Sequence, residues 1–347
     1  MNHSSVGRSP GLPPRPADAL RGSLLTGEQQ QPWPDDLALD SLCQAAAAFV
    51  ALDTAPAPED LGVVLESALR AVWRAIEQCE NAGIGKREIL SHLDAVRAIN
   101  GSSPFIARAQ NWPRGYIGDF ETIEYLCTAE NRAPAGTMAH VLEDLALRSP
   151  ITGQHRNKVA FQADAILAAC RRRDGCARIL SIGCGGCRDI RSVASDLLPT
   201  AAEFVLCDFD DEALAFALHA LGPLASRCTY LNATVPRVLR KLVPYGPFDL
   251  AIAGGVFDYL PDRWVTLSLQ SMWQTLLAPE GSLIFTNIKR GNPFRVWLEY
   301  LANWELTERG EDDVLTSCRE SGIPQSAVRV VSDQTGLALL VTCQRHD

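Results

Sequence analysis

Hydrophobic residues follow two different spacings along the chain, and the spacing changes near residue 176. Between residues 36 and 175, apolar side chains recur at steps of three and four, as in "DLGVVLESALRAVWRAIEQCE". That spacing predicts amphipathic helices. Residues 1–35 are rich in Pro, Gly, Ser and Gln and offer little to bury, so we expect a disordered tail there.

After residue 176, short apolar runs alternate with helical patterns. The runs that we interpret as strands are "ARILSIG", "AEFVLCDFD", "CTYLNA", "FDLAIAGG" and "GSLIFTNI". Strands separated by single helices predict parallel βαβ units, and therefore a doubly wound, Rossmann-like α/β sheet. Two final runs, "AVRVVSD" and "GLALLVTCQ", flank a short turn and predict an antiparallel hairpin. The predicted units are therefore a tail at 1–35, a helical domain at 36–175 and an α/β core at 176–347.

Composition narrows the range of functions. The formal net charge of −9 argues against an extensive nucleic-acid surface. No apolar run approaches the roughly 18 residues of a membrane span, and the first residues lack the apolar segment of a secretory signal, so we expect a soluble, cytoplasmic protein. Nearly all of the eleven cysteines stand among apolar residues and no His-rich cluster accompanies them, which predicts buried thiols and no metal site.

The segment "ILSIGCGGCRDI", residues 179–190, permits two interpretations. Cys184 and Cys187 have the C-x-x-C spacing of thiol–disulfide or metal chemistry. Gly183 and Gly185 instead follow a predicted strand and lead into a helix, where glycines let the backbone approach a nucleotide closely. Position 188 is Arg, so the third glycine of the dinucleotide fingerprint is missing.

Asp208 favours the nucleotide interpretation. It ends the second predicted strand roughly 20 to 25 residues after the glycines, where an acidic side chain accepts hydrogen bonds from ribose hydroxyls. The redox interpretation would leave Asp208 without a role. Asp210, just beyond it, is predicted to cap the next helix.

Three segments, "RILSIGCGGCRDI", "VLCDFDDEAL" and "FDLAIAGGVFDYLPD", resemble the motifs of class I S-adenosylmethionine (SAM)-dependent methyltransferases. More narrowly, "WPRGYIGDFETIEYL", "HRNKVAF", "GVFDYLPD" and "GNPFRVWLEYLANWEL" resemble a bacterial group associated with extracellular-factor (3-hydroxypalmitic acid methyl ester) biosynthesis. The resemblance extends from about residue 105 to the C-terminus and implies SAM as the cofactor. The terminal hairpin is typical of the same class, whose sheet has the strand order 3-2-1-4-5-7-6.

Four residues of the core are candidates for SAM contacts. Asp208 is the candidate ribose ligand, and Asn232, after the third strand, either meets the adenine edge or forms a turn. Asp189 either reaches the methionine ammonium or complements the helix dipole. Gly254, at the end of the fourth strand, is expected to keep the floor beneath the sulfonium open.

Further candidates lie outside these motifs. Tyr116 stands in a glycine-containing loop that we expect to close over the cofactor, and Asp119 is a good N-cap for the helix that follows. Arg156 begins the helix that leads into the first strand, and it either clamps the SAM carboxylate or is a surface cation. Asn157 is, with Tyr116, a candidate catalytic residue of this lid. Tyr259 either faces the sulfonium cation or belongs to the core.

The function predicted first is methyl transfer from SAM to a small or lipid-like metabolite, with a carboxylate oxygen as a candidate acceptor. Such an enzyme positions its reactants and excludes water, and a carboxylate nucleophile needs no general base. Azetidine-2-carboxylate synthases use a similar scaffold, so cyclisation of SAM with release of methylthioadenosine is the alternative. A catalytically inert SAM-binding partner protein is the third hypothesis. The acceptor and the oligomeric state stay open.

Overall fold

The computed structural model describes residues 35–54 and 60–346. The predicted tail at 1–35 lies outside these residues except for Asp35. Helices precede the sheet, and within the described residues they are α1 (Asp35–Ala51), α2 (Leu61–Asn81), α3 (Lys86–Ser91), α4 (Asp94–Asn100), α5 (Pro104–Asn111), α6 (Phe120–Thr128), α7 (Met138–Arg148) and α8 (Pro150–Arg172). None of the helices in the described residues combines the length and the apolar character that a membrane crossing requires.

The helical region, residues 35–172, forms where the three-and-four spacing predicts helices. In α2, the buried residues include Leu65, Leu69, Val72 and Ile76, which lie on one face. Asp119 caps α6 as predicted, because its side chain accepts a hydrogen bond from the backbone N–H of Thr122. The loop before it, residues 112–119, is called the α5–α6 loop below.

A seven-stranded sheet forms the core. Its strands are β1 (Arg178–Ile182), β2 (Glu203–Asp208), β3 (Cys228–Asn232), β4 (Phe248–Ala253), β5 (Leu277–Ile288), β6 (Val328–Ser332) and β7 (Ala338–Gln344). Their order is β3-β2-β1-β4-β5-β7-β6, which confirms the predicted order. The first five strands are parallel, and β7 pairs antiparallel with both β5 and β6. The predicted terminal hairpin is therefore confirmed.

Helices connect the strands. They are α9 (Arg188–Ser192), α10 (Ala194–Leu197), α11 (Asp211–Ala220), α12 (Val235–Lys241), α13 (Asp262–Ser271) and α14 (Glu311–Glu320). Val193 leaves helical geometry and divides the segment between β1 and β2 into α9 and α10. Strand β5 begins at Leu277 rather than at Gly281, with a register shift opposite the start of β4.

Two apolar clusters cover the sheet, and a third joins the helical region to the segment that follows β5. In this third cluster, Phe49 and Phe105 of the helical region share one core with Trp297, Tyr300 and Trp304. Helix α8 also packs directly on β4, β5 and β7. The helical region is thus held beside the carboxyl ends of the parallel strands.

Candidate functional site

A cavity of about 840 Å³ opens at the carboxyl ends of the parallel strands. Such a crevice is where doubly wound sheets bind their ligands. The strand ends contribute its floor, the α5–α6 loop and α6 cover one side, and α8 forms another. Side chains and backbone that line it include Tyr116, Gly118, Phe120, Glu124, His155, Lys158, Gln162, Gly183, Gly185, Arg188, Asp189, Asp208, Phe209, Thr234, Gly254, Val256, Asp258, Tyr259, Glu305 and Thr307.

The glycine loop turns sharply between β1 and α9. Gly185 has a φ of +50°, a left-handed conformation that favours glycine. A Cβ atom on Gly183 would lie 2.8 Å from the Cβ of Val256, so a side chain there would force neighbouring backbone to move. The loop therefore brings backbone, rather than side chains, to the edge of the cavity.

Asp208 ends β2 and binds the glycine loop. Its Oδ2 accepts a hydrogen bond of 2.8 Å from the N–H of Gly185, and its Oδ1 accepts one of 3.0 Å from the N–H of Asp210. Burial raises the pKa of Asp208 above its usual value. A carboxylate has about four acceptor positions, so two remain for other donors, such as the two hydroxyls of a ribose.

Asp189 is a buried acid in the first turn of α9, directly after the glycine loop. It is 5% exposed, and burial raises its pKa to about 6. Its Oδ2 has no hydrogen-bond partner among the described residues. A cation bound beside it would supply the missing donor and favour the ionised form.

Because Gly254 has no side chain, the amide of Gln162 can lie directly against it. Its carbonyl accepts hydrogen bonds from Gln162 Nε2 (3.1 Å) and Thr286 Oγ1 (2.7 Å). A Cβ atom at position 254 would overlap the amide of Gln162. The space that the sequence predicted to lie open beneath a sulfonium is therefore shared with Gln162.

The α5–α6 loop is fastened to the residues that follow β2. Both carboxylate oxygens of Asp210 accept hydrogen bonds of 2.6 Å from the guanidinium of Arg114, and the hydroxyl of Tyr116 donates a third, also 2.6 Å long. Burial alone would raise the pKa of Asp210, but the hydrogen bonds from Arg114 and Tyr116 lower it to about 2. The ring of Tyr116 packs edge-on against Phe209, 4.7 Å between centroids. Tyr116 therefore closes one wall of the cavity.

Tyr259 also contacts the α5–α6 loop. The indole of Trp304 donates a hydrogen bond of 3.1 Å to the Tyr259 hydroxyl oxygen. Gly118 contacts this hydroxyl so closely that a Cβ atom there would overlap it. Because the oxygen accepts from Trp304, the hydroxyl hydrogen of Tyr259 can be donated to a ligand.

Sequence reasoning missed several charged or titratable residues of the cavity, among them His155, Lys158 and Asp258. Lys158 donates a hydrogen bond of 2.7 Å to Asp258, and both side chains are at most 3% exposed. Burial, followed by the positive charges of Lys158 and Arg156, holds the pKa of His155 well below its usual range, so the imidazole is neutral near pH 7. His155 and Lys158 are three residues apart, and that spacing on a helix was the available signal.

Three predicted residues lie outside the cavity, and their predicted contacts are not supported. The guanidinium of Arg156 donates instead to the carbonyls of Leu126 (2.8 Å) and Leu147 (3.2 Å). Asn157 donates to Asp333 at 2.8 Å. Asn232 is exposed and donates to a backbone carbonyl in the loop after β2. Arg156 and Asn157 fall between His155 and Lys158 in sequence, so the helical period turns them away from the cavity.

The C-x-x-C pair lacks the features of a redox site. A hydrogen bond with Cys187, followed by burial, raises the pKa of the Cys184 thiol well above its usual range. Thiol–disulfide exchange needs the thiolate, which this environment disfavours. Within residues 35–54 and 60–346, no group of three or more His, Cys, Asp or Glu residues could hold a metal ion.

Comparison with known proteins agrees with this geometry. Residues 180–283 match the family model of a methyltransferase domain. The core has the fold of a class I methyltransferase. No curated protein matches the chain. The methyltransferase domain implies SAM as the cofactor.

Solved structures with this fold are distant in sequence. A possible exported protein from Bordetella parapertussis is 16% identical, with a TM-score of 0.54 over 93% of this chain and 100% of that chain. The 1,6-didemethyltoxoflavin-N1-methyltransferase of Burkholderia thailandensis, with bound 1,6-didemethyltoxoflavin and S-adenosylhomocysteine, is 18% identical (TM-score 0.36, 54% of this chain, 79% of that chain). Magnesium protoporphyrin IX methyltransferase of Synechocystis, with bound S-adenosylhomocysteine, is 14% identical (TM-score 0.42, 56% of this chain, 87% of that chain).

The residues of the cavity fit SAM. The Oδ2 of Asp189, which has no hydrogen-bond partner in the described part of the chain, matches a ligand that carries an ammonium group. The two remaining acceptor positions of Asp208 match a ribose diol. The left-handed Gly185 gives the backbone a close approach to a ligand.

Proposed function

We propose that this protein transfers a methyl group from SAM to a small or lipid-like acceptor that binds in the same cavity. The observation that carries the proposal is the composition of the cavity. Two acids, Asp189 and Asp208, line it together with the glycine loop, Lys158 and Tyr259. The acids and the glycine loop are complementary to a nucleoside with an ammonium group, and other lining residues are left for an acceptor.

Asp208 would hold the ribose, Asp189 the methionine ammonium, and the backbone at Gly183 and Gly185 would border the methionine arm. When bound, SAM supplies an electrophilic methyl group attached to a sulfonium. The chain therefore has to orient the acceptor in line with that methyl group and exclude water, rather than activate the methyl donor.

A carboxylate acceptor suits this arrangement, because it is already a nucleophile. The resemblance to proteins associated with a fatty-acid methyl ester supports an acceptor of this type. An acceptor with a hydroxyl or amine would first lose a proton, and the neutral His155 lines the cavity and could accept it.

We also propose that the helical region acts as a lid for the core, not as an independent module. Three contacts support this proposal. The α5–α6 loop binds Asp210 through Arg114 and Tyr116. Glu124 of α6 pairs with Arg188 and Arg191 of α9. Trp297 and neighbouring residues of the core complete the apolar interior of the helical region.

Product analysis by mass spectrometry tests the proposed reaction. The purified protein would be incubated with SAM alone, and with SAM plus carboxylic acids such as 3-hydroxyhexadecanoate. We expect S-adenosylhomocysteine and a methyl ester only when an acceptor is present. Methylthioadenosine from SAM alone would instead indicate cyclisation. Tight binding of SAM without turnover of either kind, over a broad acceptor panel, would favour an inert binding protein.

Two variants, each with one aspartate replaced by asparagine, test whether SAM binds in the cavity. Asp208→Asn should weaken SAM binding in calorimetry, because the amide offers one acceptor oxygen where the carboxylate offers two. Asp196→Asn, which changes an exposed acid on α10, is the matched control and should bind as the wild type does. Equal affinities of the two variants would argue against the assigned ribose site.

A further inference from the structure

Lys158 is a buried cation whose hydrogen bonds are incomplete. It is 2% exposed, and an ammonium group has three N–H donors. Asp258 accepts one of them at 2.7 Å, and the structure shows no other acceptor for this ammonium among the described residues. A buried charge with open donors is costly unless a ligand or water supplies the acceptors. Lys158 lines the cavity, so a ligand can reach it.

Asp258 fixes the position of Lys158 but leaves those donors open. Its Oδ1 accepts a hydrogen bond of 2.7 Å from the backbone N–H of Ile288, at the end of β5. Its Oδ2 accepts from Lys158. The aspartate is therefore bound at both oxygens, and the lysine is held by a partner that cannot rotate freely.

Other donors line the same cavity. Tyr259 follows Asp258 directly, and its hydroxyl hydrogen is available because Trp304 donates to the oxygen. Burial raises the pKa of Tyr259, so this hydroxyl stays protonated. His155, one turn before Lys158 on α8, is neutral and has one ring N–H. An anionic group with two acceptor oxygens would satisfy these donors.

We propose that Lys158 and Tyr259 bind a carboxylate group in this cavity, with Asp258 as the residue that positions Lys158. The inference rests on the proposed function, because it assigns further residues of the same cavity. The carboxylate belongs either to the methionine arm of SAM or to the acceptor, and both sources present the same chemistry. If the carboxylate is that of SAM, Lys158 has the role that the sequence suggested for Arg156, which lies two residues earlier on another face of α8.

Binding measurements distinguish the two sources. The central variant is the double substitution Lys158→Met with Asp258→Asn. It removes both charges of the buried pair and leaves an amide oxygen to accept from the Ile288 N–H. Lys158→Met alone would leave Asp258 charged and unpaired, which can destabilise the fold. Arg171→Met, an exposed position near the end of α8, is the matched control. Circular dichroism would verify that each variant is folded.

The first arm compares SAM with decarboxylated SAM by calorimetry. If Lys158 binds the methionine carboxylate, the wild type and Arg171→Met should prefer SAM by about 10- to 100-fold, as expected for a charged hydrogen bond. The double variant should bind both compounds about equally. The variant Tyr259→Phe should retain only part of the preference for SAM over decarboxylated SAM.

The second arm measures octanoate, with octanol as its uncharged counterpart, on protein saturated with S-adenosylhomocysteine. If Lys158 binds the acceptor, octanoate should bind the wild type and Arg171→Met, and should lose about tenfold or more in affinity in the double variant. The affinity for octanol should be the same in the wild type, the control and the double variant. A folded double variant that keeps the SAM preference and shows no change towards octanoate would overturn the inference, as would a wild type with no preference in either arm.

These outcomes are separate from failure of the proposed reaction. If the SAM preference depends on Lys158 but no acceptor is ever methylated, the carboxylate site stands and methyl transfer does not. If the wild type binds no SAM at all and does not bind octanoate, both proposals are wrong.

Discussion

The backbone N–H of Gly185 donates a 2.8 Å hydrogen bond to Oδ2 of Asp208. This bond joins the loop after β1 to the end of β2, so the two parts of the proposed cofactor site depend on each other. A change in the conformation of the loop would displace the acid that is proposed to hold the ribose. The contact also explains why Asp208 stays fixed although it lies at the edge of a cavity.

Gly185→Val should therefore abolish SAM binding. Valine strongly disfavours a φ of +50°, and its side chain would project towards Phe120, whose Cβ lies 3.4 Å from the position that a Cβ atom would take. Calorimetry with SAM checks this prediction. Gly222→Val is the matched control, because Gly222 also has a positive φ of +54° but has open space around it. Both variants should lose about 1–2 kcal/mol of stability, whereas only Gly185→Val should lose the ligand. Unchanged affinity in Gly185→Val would refute the assignment.

Asp189 should make both stability and SAM affinity depend on pH. Burial raises its folded pKa to about 6 from the ordinary value of 3.8, so the folded protein holds this proton more tightly than the unfolded chain. Its contribution to stability is full below about pH 4 and is lost as the pH rises through 6. At pH 7 the ligand-free variant Asp189→Asn should therefore be more stable than the wild type, by roughly 3 kcal/mol at most. Urea unfolding at several pH values measures this difference.

The affinity for SAM should change with pH in the opposite direction to the stability. If the ionised Asp189 pairs with the methionine ammonium, the affinity of the wild type for SAM should rise between pH 5 and pH 7. Burial also raises the pKa of Asp208. Protonation of Asp208 at low pH therefore adds to the pH dependence of SAM affinity in both the wild type and Asp189→Asn. The part of the pH dependence that disappears in Asp189→Asn belongs to Asp189. Parallel affinity profiles for the two proteins would show that Asp189 serves only the helix dipole.

Tyr116→Ala should reduce turnover more than it reduces SAM affinity. The tyrosine contacts Asp210 and Phe209 on the wall of the cavity, and its loss would admit water. Tyr116→Phe keeps the ring and should retain more of the activity, because Arg114 still binds both oxygens of Asp210. Steady-state kcat and KM for SAM check this order. A larger effect of Tyr116→Phe on KM than on kcat would contradict it.

Much of the fold could be predicted from the sequence because most strands are apolar runs that end at or just before glycine, aspartate or asparagine. The strand order could be proposed because the hairpin at the C-terminus is typical of one class of sheet. The start of β5 could not, since Leu277 joins the sheet through an irregular register opposite β4. Such a shift depends on pairing between distant segments.

The site was only partly predictable, for a related reason. Gly183, Gly185 and Asp208 lie at strand ends and in the loop after β1, and Asp189 lies in the first turn of the helix that follows, so their positions follow from the topology of the sheet. The helical period shows that His155 and Lys158 share a face while Arg156 and Asn157 do not. It does not show which face meets the cavity. The orientation of α8 about its own axis is set by its packing on β4, β5 and β7, which is a tertiary property.

The double variant Cys184→Ser, Cys187→Ser should keep SAM turnover within about tenfold of the wild type, a difference of roughly 1.4 kcal/mol in activation free energy. The raised pKa of Cys184 leaves little thiolate, and no metal cluster includes either residue within the described parts of the chain. Turnover measured with and without a reducing agent checks this. A folded double variant that binds SAM but is inactive would support a redox or metal-binding role for the C-x-x-C pair.

Glu124→Gln should loosen the helical region from the glycine loop. Glu124 accepts from Arg191 at 2.6 Å and from Arg188 at 3.0 Å, and its side chain is 17% exposed. Both arginines belong to α9, which begins directly after the glycine loop, so this carboxylate holds α6 against the helix that positions Asp189. The neutral amide oxygen can accept well from only one of the two guanidinium groups, and both groups lose the counter-charge that Glu124 supplied. We expect faster amide hydrogen exchange in residues 120–128 and 188–192 and weaker binding of SAM. Glu66→Gln, which removes an exposed i,i+4 pair with Arg70 on α2, is the matched control and should change neither. If exchange in both segments and SAM affinity stay as in the wild type, α6 does not act as part of a lid, and the helical region must have another function.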